Sequence, residues 1–197
     1  MANLTKIRGN LAHLITNPFI KILSRIGITP NALTFTGLAL NIAAAYTIAV
    51  GHFFLGGVLV LISGLFDLLD GALARFKNQA TQFGAILDST IDRFAEAAIL
   101  CGLLIWYMPK QHTLEIILIF IVLTGSFLIS YIRARAEGLG LQCKVGLFTR
   151  AERVIVLALG LLLNQVFFVL CVLAVFVYIT VIQRLVYLRK QTKEGED

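Results

Sequence analysis

Residues 67–92 read DLLDGALARFKNQATQFGAILDSTID, which places four aspartates within 26 residues. The flanking segments are strongly apolar, with GGVLVLISGLF at 56–66 and AAILCGLLIWY at 97–107. A carboxylate at bilayer depth costs at least ~2.5 kcal/mol even on the mildest insertion scale. Four such groups in one place therefore need a compensating partner, and a polyvalent cation is the obvious one.

The composition of the whole chain indicates a membrane protein. Of 197 residues, 58% are hydrophobic and 14% are charged, and a membrane-crossing helix needs about 20 mostly apolar residues. We predict an all-α polytopic membrane protein with one six-helix domain at 29–190, a preceding segment at 1–28 and a polar C-terminal tail at 191–197. The six predicted transmembrane spans lie near 32–50, 54–78, 83–107, 113–137, 148–163 and 166–189. The 148–163 segment is short for a full crossing.

The basic residues are distributed unequally between the two sides of this predicted bundle. Lys110 is the only Lys or Arg in the loops on one side, so 16 of the 17 basic residues fall on the other side. The positive-inside rule then predicts a multi-pass protein of the cell membrane with both termini, and the aspartates, on the cytoplasmic side. The formal charge of +6 follows from this topology and from attraction to anionic lipid, which argues against nucleic acid as a partner.

The first 28 residues have the pattern of an amphipathic helix. Basic residues such as Lys6, Arg8 and Lys21 interrupt any apolar run long enough for a signal peptide. We predict a helix that lies on the cytoplasmic interface and is bent or restarted at Asn17-Pro18. A plain membrane anchor and a substrate-gating element are both compatible with this pattern. Its apolar residues recur at three- and four-residue steps: Leu4, Ile7, Leu11, Leu14, Ile15, Phe19, Ile22 and Ile26.

The spacing of the aspartates puts each pair on one helical face. Asp67 and Asp70 are three residues apart on the second predicted span, and Asp88 and Asp92 are four apart on the third. Two carboxylates from each of two antiparallel helices make an all-oxygen site suited to Mg²⁺ or Mn²⁺. A two-metal site, with metals spaced about 3.5–4 Å, is compatible with four such ligands.

Small residues share the faces that carry these aspartates. Gly71 lies four residues after Asp67, Ala74 lies four after Asp70, and Gly84 lies four before Asp88; the pattern predicts close approach of the two helix backbones. Glu96 continues the row one turn deeper, either as a direct participant or as a support for the ligands.

These residues resemble the signature of the CDP-alcohol phosphotransferase family, D-x2-D-G-x2-A-R-x8-G-x3-D-x3-D. All eight fixed positions match, from Asp67 to Asp92. The segment Thr29-Pro30-Asn31-Ala-Leu-Thr34 resembles the family's segment ahead of its first span, so the resemblance covers about residues 28–160. It implies six transmembrane helices, usually a homodimer, a divalent-metal site, and transfer of a lipid phosphate group from a CDP-linked lipid to an alcohol with release of CMP.

The resemblance also implies roles for individual residues. Asp67, Asp70 and Asp88 would ligate the metals, and Asp92 would be the general base that takes the acceptor's hydroxyl proton, while also touching a metal. The CDP-linked lipid would be bound by Asp67 and by five further residues: Asn31 and Thr34 at the cytidine end, Gly71 and Ala74 beside the nucleotide, and Arg75 at the diphosphate.

The basic region between 126 and 153 is the part of the sequence that we expect to indicate the identity of the acceptor. Arginine binds phosphate with two nitrogens at once, so several arginines at the same cytoplasmic mouth, among them Arg135 and Arg150, favour an acceptor that has its own phosphate. The alternative is that they serve topology alone. The stretch SYIRARAEGLG at 130–140, followed by RAER at 150–153, resembles phosphatidylinositol-phosphate and archaetidylinositol-phosphate synthases.

This second resemblance makes inositol 1-phosphate the leading acceptor and glycerol 3-phosphate, the acceptor of phosphatidylglycerophosphate synthases, the alternative. It implies that Arg133 and Arg153 hold the acceptor phosphate, with Ser130 nearby and Arg184 joining them. Phe148-Thr149 departs from the smaller or acidic residues expected there. A divalent-cation transporter is the competing class, but the acidic residues are confined to one half of the membrane and no inverted repeat is evident.

Overall fold

The computed structural model describes residues 27–77, 79, 81–143 and 145–194, and these are helical wherever they form regular structure. Most of the predicted segment 1–28 lies outside the described residues. The six α-helices within them are α1 (Pro30–Ala49), α2 (Phe53–Phe76), α3 (Gln82–Tyr107), α4 (Thr113–Gly138), α5 (Arg150–Leu162) and α6 (Val166–Glu194), with a 3₁₀ turn at Met108–Lys110.

Each helix is placed close to a predicted span. α1 begins after Thr29, whose hydroxyl accepts a hydrogen bond from the Ala32 amide at 3.3 Å, and Pro30 occupies its first turn. Thr81 caps α3 in the same way by accepting from the Gly84 amide at 3.0 Å. α6 differs from the prediction, because its last turns continue into the segment assigned to a polar tail.

Four of these helices, α1, α2, α4 and α6, are long and apolar enough to cross a membrane. α3 has sufficient length but contains Asp92, Arg93 and Glu96 within its apolar part. α5 has 13 residues, or about 20 Å at 1.5 Å per residue, which is less than the ~30 Å hydrocarbon core. The all-helical membrane class is therefore supported, whereas length and composition alone do not establish six crossings.

The bundle is built around α1, which packs against both α2 and α3. α5 packs against α2, and α6 packs against α4 and α5. The main core joins buried residues of all six helices, with Ile48, Leu100, Leu103, Leu161 and Leu170 essentially inaccessible. A polar contact also links α1 to α2: the Asn41 amide donates to Ser63 Oγ at 2.5 Å, and Ser63 Oγ donates to the Gly37 carbonyl at 2.9 Å.

The close approaches between helices occur at glycines other than the predicted ones. A Cβ at Gly102 of α3 would collide with the backbone of Ala45 in α1, and one at Gly57 of α2 would lie 3.0 Å from the Ala158 carbonyl of α5. At Gly71 a Cβ would meet only the side chain of Arg75 in the same helix, and at Gly84 only that of Thr81, the N-cap of α3. The close backbone approach predicted at Gly71 and Gly84 is therefore wrong, because both residues line a cleft instead.

Candidate active site

Three of the four aspartates converge on one point. Asp67 and Asp70 of α2 and Asp88 of α3 each offer a carboxylate oxygen, and these oxygens lie within 4.8 Å of one another. Asp70 is buried, while Asp67 and Asp88 are half-buried. Like charges at this separation repel strongly in a partly buried setting, so the arrangement needs cations near it.

Asp70 is held in place from two directions. Its Oδ2 accepts a hydrogen bond of 2.7 Å from the hydroxyl of Thr34 on α1, and its Oδ1 accepts one of 2.5 Å from the backbone amide of Gly71. Thr34, which is predicted to contact the cytidine end of the substrate, also orients a carboxylate of the cluster through this hydroxyl. The hydroxyl also approaches the Pro30 carbonyl at 3.2 Å.

Asp92 occupies the neighbouring position on α3 and faces an arginine. Nη1 of Arg150, the first residue of α5, lies 2.6 Å from Asp67 Oδ2 and 2.8 Å from Asp92 Oδ1. The first contact is a hydrogen bond; the second is an ion pair without hydrogen-bond geometry. Arg150 thus bridges α2 and α3 with one nitrogen.

Arg150 belongs to the basic region predicted to bind the acceptor, but the sequence pattern predicts no partner for it. One signal was available. Arg150 and Arg153 are three residues apart, so they share a face of α5, and this helix begins at the end of the bundle where the aspartates lie.

A cleft of about 420 Å³ opens beside the cluster. Asp70 and Asp88 form part of its wall, and the remaining wall includes five of the six residues predicted to bind the CDP-linked lipid, namely Asn31, Thr34, Gly71, Ala74 and Arg75. Asp67, the sixth, does not line this cleft. Arg75 is one turn after Gly71, and its guanidinium lies over that glycine, where a Cβ would be 3.6 Å from Nη1. The cleft therefore combines a basic side chain, backbone access at a glycine and two carboxylates.

The donor set of the cluster fits a hard divalent cation. All of its ligands would be carboxylate oxygens, the type preferred by Mg²⁺ and Mn²⁺. Asp88 Oδ1 is buried and has no hydrogen-bond partner among the described residues, which is expected of an oxygen that serves as a metal ligand. The geometry groups Asp67, Asp70 and Asp88, whereas Asp92 stands beside that group.

Comparison with known proteins identifies the family. The sequence profile described as CDP-alcohol phosphatidyltransferase matches residues 27–186 of this chain. The chain belongs to this family. It is accordingly a transferase, and membership favours the predicted enzyme over the cation-transporter alternative.

Individual relatives agree with this assignment. The phosphatidylinositol phosphate synthase of Mycobacteroides abscessus is 40% identical over 180 residues, covering 87% of this chain and 82% of that protein. The archaetidylinositol phosphate synthase of Pyrococcus horikoshii is 35% identical over 176 residues, covering 89% and 91%.

Solved structures show the same likeness. The phosphatidylinositol phosphate synthase of Mycobacterium tuberculosis with CDP-DAG bound has a TM-score of 0.78 and 38% identity, covering 87% of this chain and 92% of that one. The same enzyme in complex with manganese and citrate gives 0.79 and 38%, covering 86% and 87%.

The second half of this phosphatidyltransferase contains the residues predicted to hold the acceptor. Arg153 is buried and makes a two-nitrogen ion pair with Glu96, at 2.8 Å from Nε to Oε1 and 2.9 Å from Nη2 to Oε2. Glu96 therefore faces Arg153 rather than the carboxylate cluster, which favours its role as a support. Arg153 Nη1 also approaches the Phe148 carbonyl at 3.4 Å.

The other predicted acceptor residues lie farther along α4 and α6. Arg184 is buried and donates to the backbone carbonyls of Ile129 and, at 3.0 Å, of Val145, so it fastens the loop after α4. Arg133 is exposed and pairs with Glu137 at 2.8 Å, and Ser130 is half-buried. Each of these arginines already has a partner within the chain, and their acceptor roles stay predictions.

Proposed function

We propose that this protein transfers the lipid phosphate group of a CDP-linked lipid to inositol 1-phosphate and releases CMP. The observation that supports this most directly is the carboxylate cluster of Asp67, Asp70 and Asp88 at the wall of a cleft lined by the family signature. The relatives named above are a phosphatidylinositol phosphate synthase and an archaetidylinositol phosphate synthase, and these activities support inositol 1-phosphate over glycerol 3-phosphate as the acceptor.

Asp67, Asp70 and Asp88 would hold Mg²⁺ or Mn²⁺, with Asp92 as a further ligand where two ions bind. A divalent cation bound there would neutralise the diphosphate oxygens and the charge that develops on the departing CMP. Thr34 and the Gly71 amide keep the Asp70 carboxylate oriented in advance, which reduces the reorganisation needed when substrate arrives.

The cleft residues would position the donor substrate. Arg75 would pair with the diphosphate, because a guanidinium forms two parallel bonds to phosphate oxygens. Asn31 and Thr34 lie at the N-terminal end of α1 on the same wall, and Gly71 and Ala74 leave space for the nucleotide beside α2.

Asp92 would act as the general base. The acceptor's hydroxyl oxygen forms a bond to the phosphorus that bears the lipid, the phosphoanhydride bond to CMP breaks, and the hydroxyl proton passes to the Asp92 carboxylate. Asp92 is mostly buried and lies against Asp67 through Arg150, so it is fixed next to the donor site. Proton transfer late in the step suits a carboxylate base.

The acceptor phosphate would be bound at the basic end of α4, α5 and α6. The positive charge there comes from Arg133, Arg153 and Arg184. Ser130 lies half-buried on α4. Arg133 is the most exposed of the three arginines, with its side chain 56% accessible, so it can exchange its contact with Glu137 for a phosphate at little desolvation cost.

We further propose six crossings, with α3 and α5 completing the bundle and residues 29–190 forming one domain. The charge pattern supports cytoplasmic termini and a cytoplasmic active site, because Lys110 is alone at the opposite end. Residues 1–28 would then lie on the cytoplasmic interface. Single cysteines would be introduced into a cysteine-free background and labelled with an impermeant maleimide. A cysteine at Gly140 should react only from the inside of the cell, and one at Gln111 only from the outside.

A homodimer is the proposed assembly, and the family resemblance supports it. Native mass spectrometry of the protein in detergent should show twice the 21.7 kDa chain mass. A monomer that retains full activity would refute this assembly.

The decisive experiment on function is an assay of CMP release by the purified protein. CDP-DAG, or its archaeal ether analogue, would be offered with inositol 1-phosphate, glycerol 3-phosphate or free inositol. We expect turnover with inositol 1-phosphate, no turnover with free inositol, and complete loss with EDTA that Mg²⁺ or Mn²⁺ restores. Preferred use of glycerol 3-phosphate would identify the alternative acceptor, and full activity after metal removal would refute the metal site.

A further inference from the structure

The family resemblance assigns no role to the contact between Arg150 and the aspartates. Nη1 of Arg150 lies 2.6 Å from Asp67 and 2.8 Å from Asp92, so one nitrogen serves carboxylates on two different helices. Asp67 is also one of the three residues whose oxygens converge as a candidate metal site. The Asp67 carboxylate is therefore available both to the Arg150 guanidinium and to a metal ion.

The position of Arg150 on its own helix makes this contact significant. Arg150 is the first residue of α5, directly after the N-cap Thr149. A positive side chain is disfavoured at a helix N-terminus, because the unpaired amide groups there already have partial positive charge. The carboxylates of Asp67 and Asp92 compensate for this repulsion at the start of α5.

The bonding of this guanidinium is also incomplete. Arg150 Nε is buried and has no hydrogen-bond partner among the described residues. By contrast, Arg153 on the same face pairs with Glu96 through two nitrogens and adds a contact to the Phe148 carbonyl. Arg153 is therefore built into the core, whereas Arg150 is held mainly by its charge partners.

We infer that Arg150 is an internal counter-cation of the aspartate cluster, which competes with the divalent metal for Asp67 and so sets the metal affinity of the site. The inference rests on the proposed metal-dependent function. In the metal-free protein Arg150 neutralises Asp67 and Asp92 and keeps α2, α3 and α5 together. Metal loading withdraws Asp67 from this pair, so Arg150 is a positioning residue whose contacts change with occupancy.

The test is a titration of the full-length protein with Mn²⁺ alone, in which electron paramagnetic resonance measures the concentration of the free ion. Arg150→Gln removes the charge and keeps much of the side-chain volume, and Arg150→Lys keeps the charge. We expect Arg150→Gln to bind Mn²⁺ roughly tenfold more tightly, equivalent to about 1.4 kcal/mol, and Arg150→Lys to remain near the unmodified affinity. Arg133→Gln is the matched control, because it removes the same charge from an exposed pair with Glu137 outside the cluster.

A second readout separates competition from a general structural role. Without metal, Arg150→Gln should lower the melting temperature, because two carboxylates lose their counter-cation; saturating Mn²⁺ should bring the variant back toward the unmodified protein. If Arg150 only stabilised the bundle, Arg150→Gln would lower the melting temperature equally with and without Mn²⁺. The substitution would then leave the Mn²⁺ affinity unchanged or weakened.

Either of those results overturns the role of Arg150 and leaves the proposed function intact. Absence of Mn²⁺ binding by the unmodified protein overturns both. The titration contains no substrate, so failure to turn over inositol 1-phosphate does not affect its interpretation.

Discussion

Thr34→Val is the substitution that tests the construction of the site most sharply. The change replaces a hydroxyl by a methyl group of similar size and removes the 2.7 Å hydrogen bond that Thr34 donates to Asp70 Oδ2. Asp70 is only 4% exposed, so water does not readily replace this donor. A hydrogen bond to a charged acceptor contributes about 1.5–3 kcal/mol, which corresponds to roughly a ten- to hundredfold effect on an equilibrium.

We expect this loss to appear in metal affinity, since groups that orient metal ligands typically influence it about 10–100-fold. The assay is CMP release from CDP-DAG and inositol 1-phosphate as Mn²⁺ is varied, together with direct Mn²⁺ titration without substrate. Thr34→Val should need ten- to hundredfold more Mn²⁺ for half-maximal rate. Thr34→Ser, which retains the hydroxyl, is the matched control and should stay near the unmodified protein.

The alternative role assigned to Thr34, contact with the cytidine end, predicts a different result. In that case Thr34→Val would raise the KM for CDP-DAG at saturating Mn²⁺ and leave the Mn²⁺ dependence unchanged. That outcome would refute the argument that Thr34 acts through Asp70.

Three further predictions concern the base, the buried ion pair and the helix packing. Asp92→Asn should lose turnover but keep most of its CDP-DAG affinity, whereas Asp67→Asn should lose both, and near-native turnover of Asp92→Asn would contradict its role as base. Arg153→Met should destabilise the protein by about 3–5 kcal/mol in denaturant unfolding, because it leaves the buried glutamate partner unpaired. Gly102→Ala should cost about 1–3 kcal/mol by overpacking a helix crossing, while Gly138→Ala, which has nothing within 4 Å of the added Cβ, should have little effect on the melting temperature.

The sequence alone determined the helices and the chemistry of the helix ends that carry the aspartates. Hydrophobic runs and capping residues such as Thr29 and Thr81 are local features, so the six helices lie close to the predicted spans. The spacing of Asp67, Asp70 and Asp88 placed them on inward faces, and three carboxylates do converge. Local periodicity specifies which face of a helix is apolar or charged, and this indicated the donor set. The family was indicated by the resemblance of residues 67–92 to its signature.

Only the tertiary structure decided which faces meet. Periodicity does not reveal that α1 packs against both α2 and α3, so the predicted close approach at Gly71 and Gly84 became the wall of a cleft. The partners of Arg150 and Arg153 also could not be predicted from the sequence, because Arg150 and Asp67 are 83 positions apart and Arg153 and Glu96 are 57 apart. Such pairs are selected by where whole helices dock, and docking depends on the packing of the entire bundle rather than on any one segment.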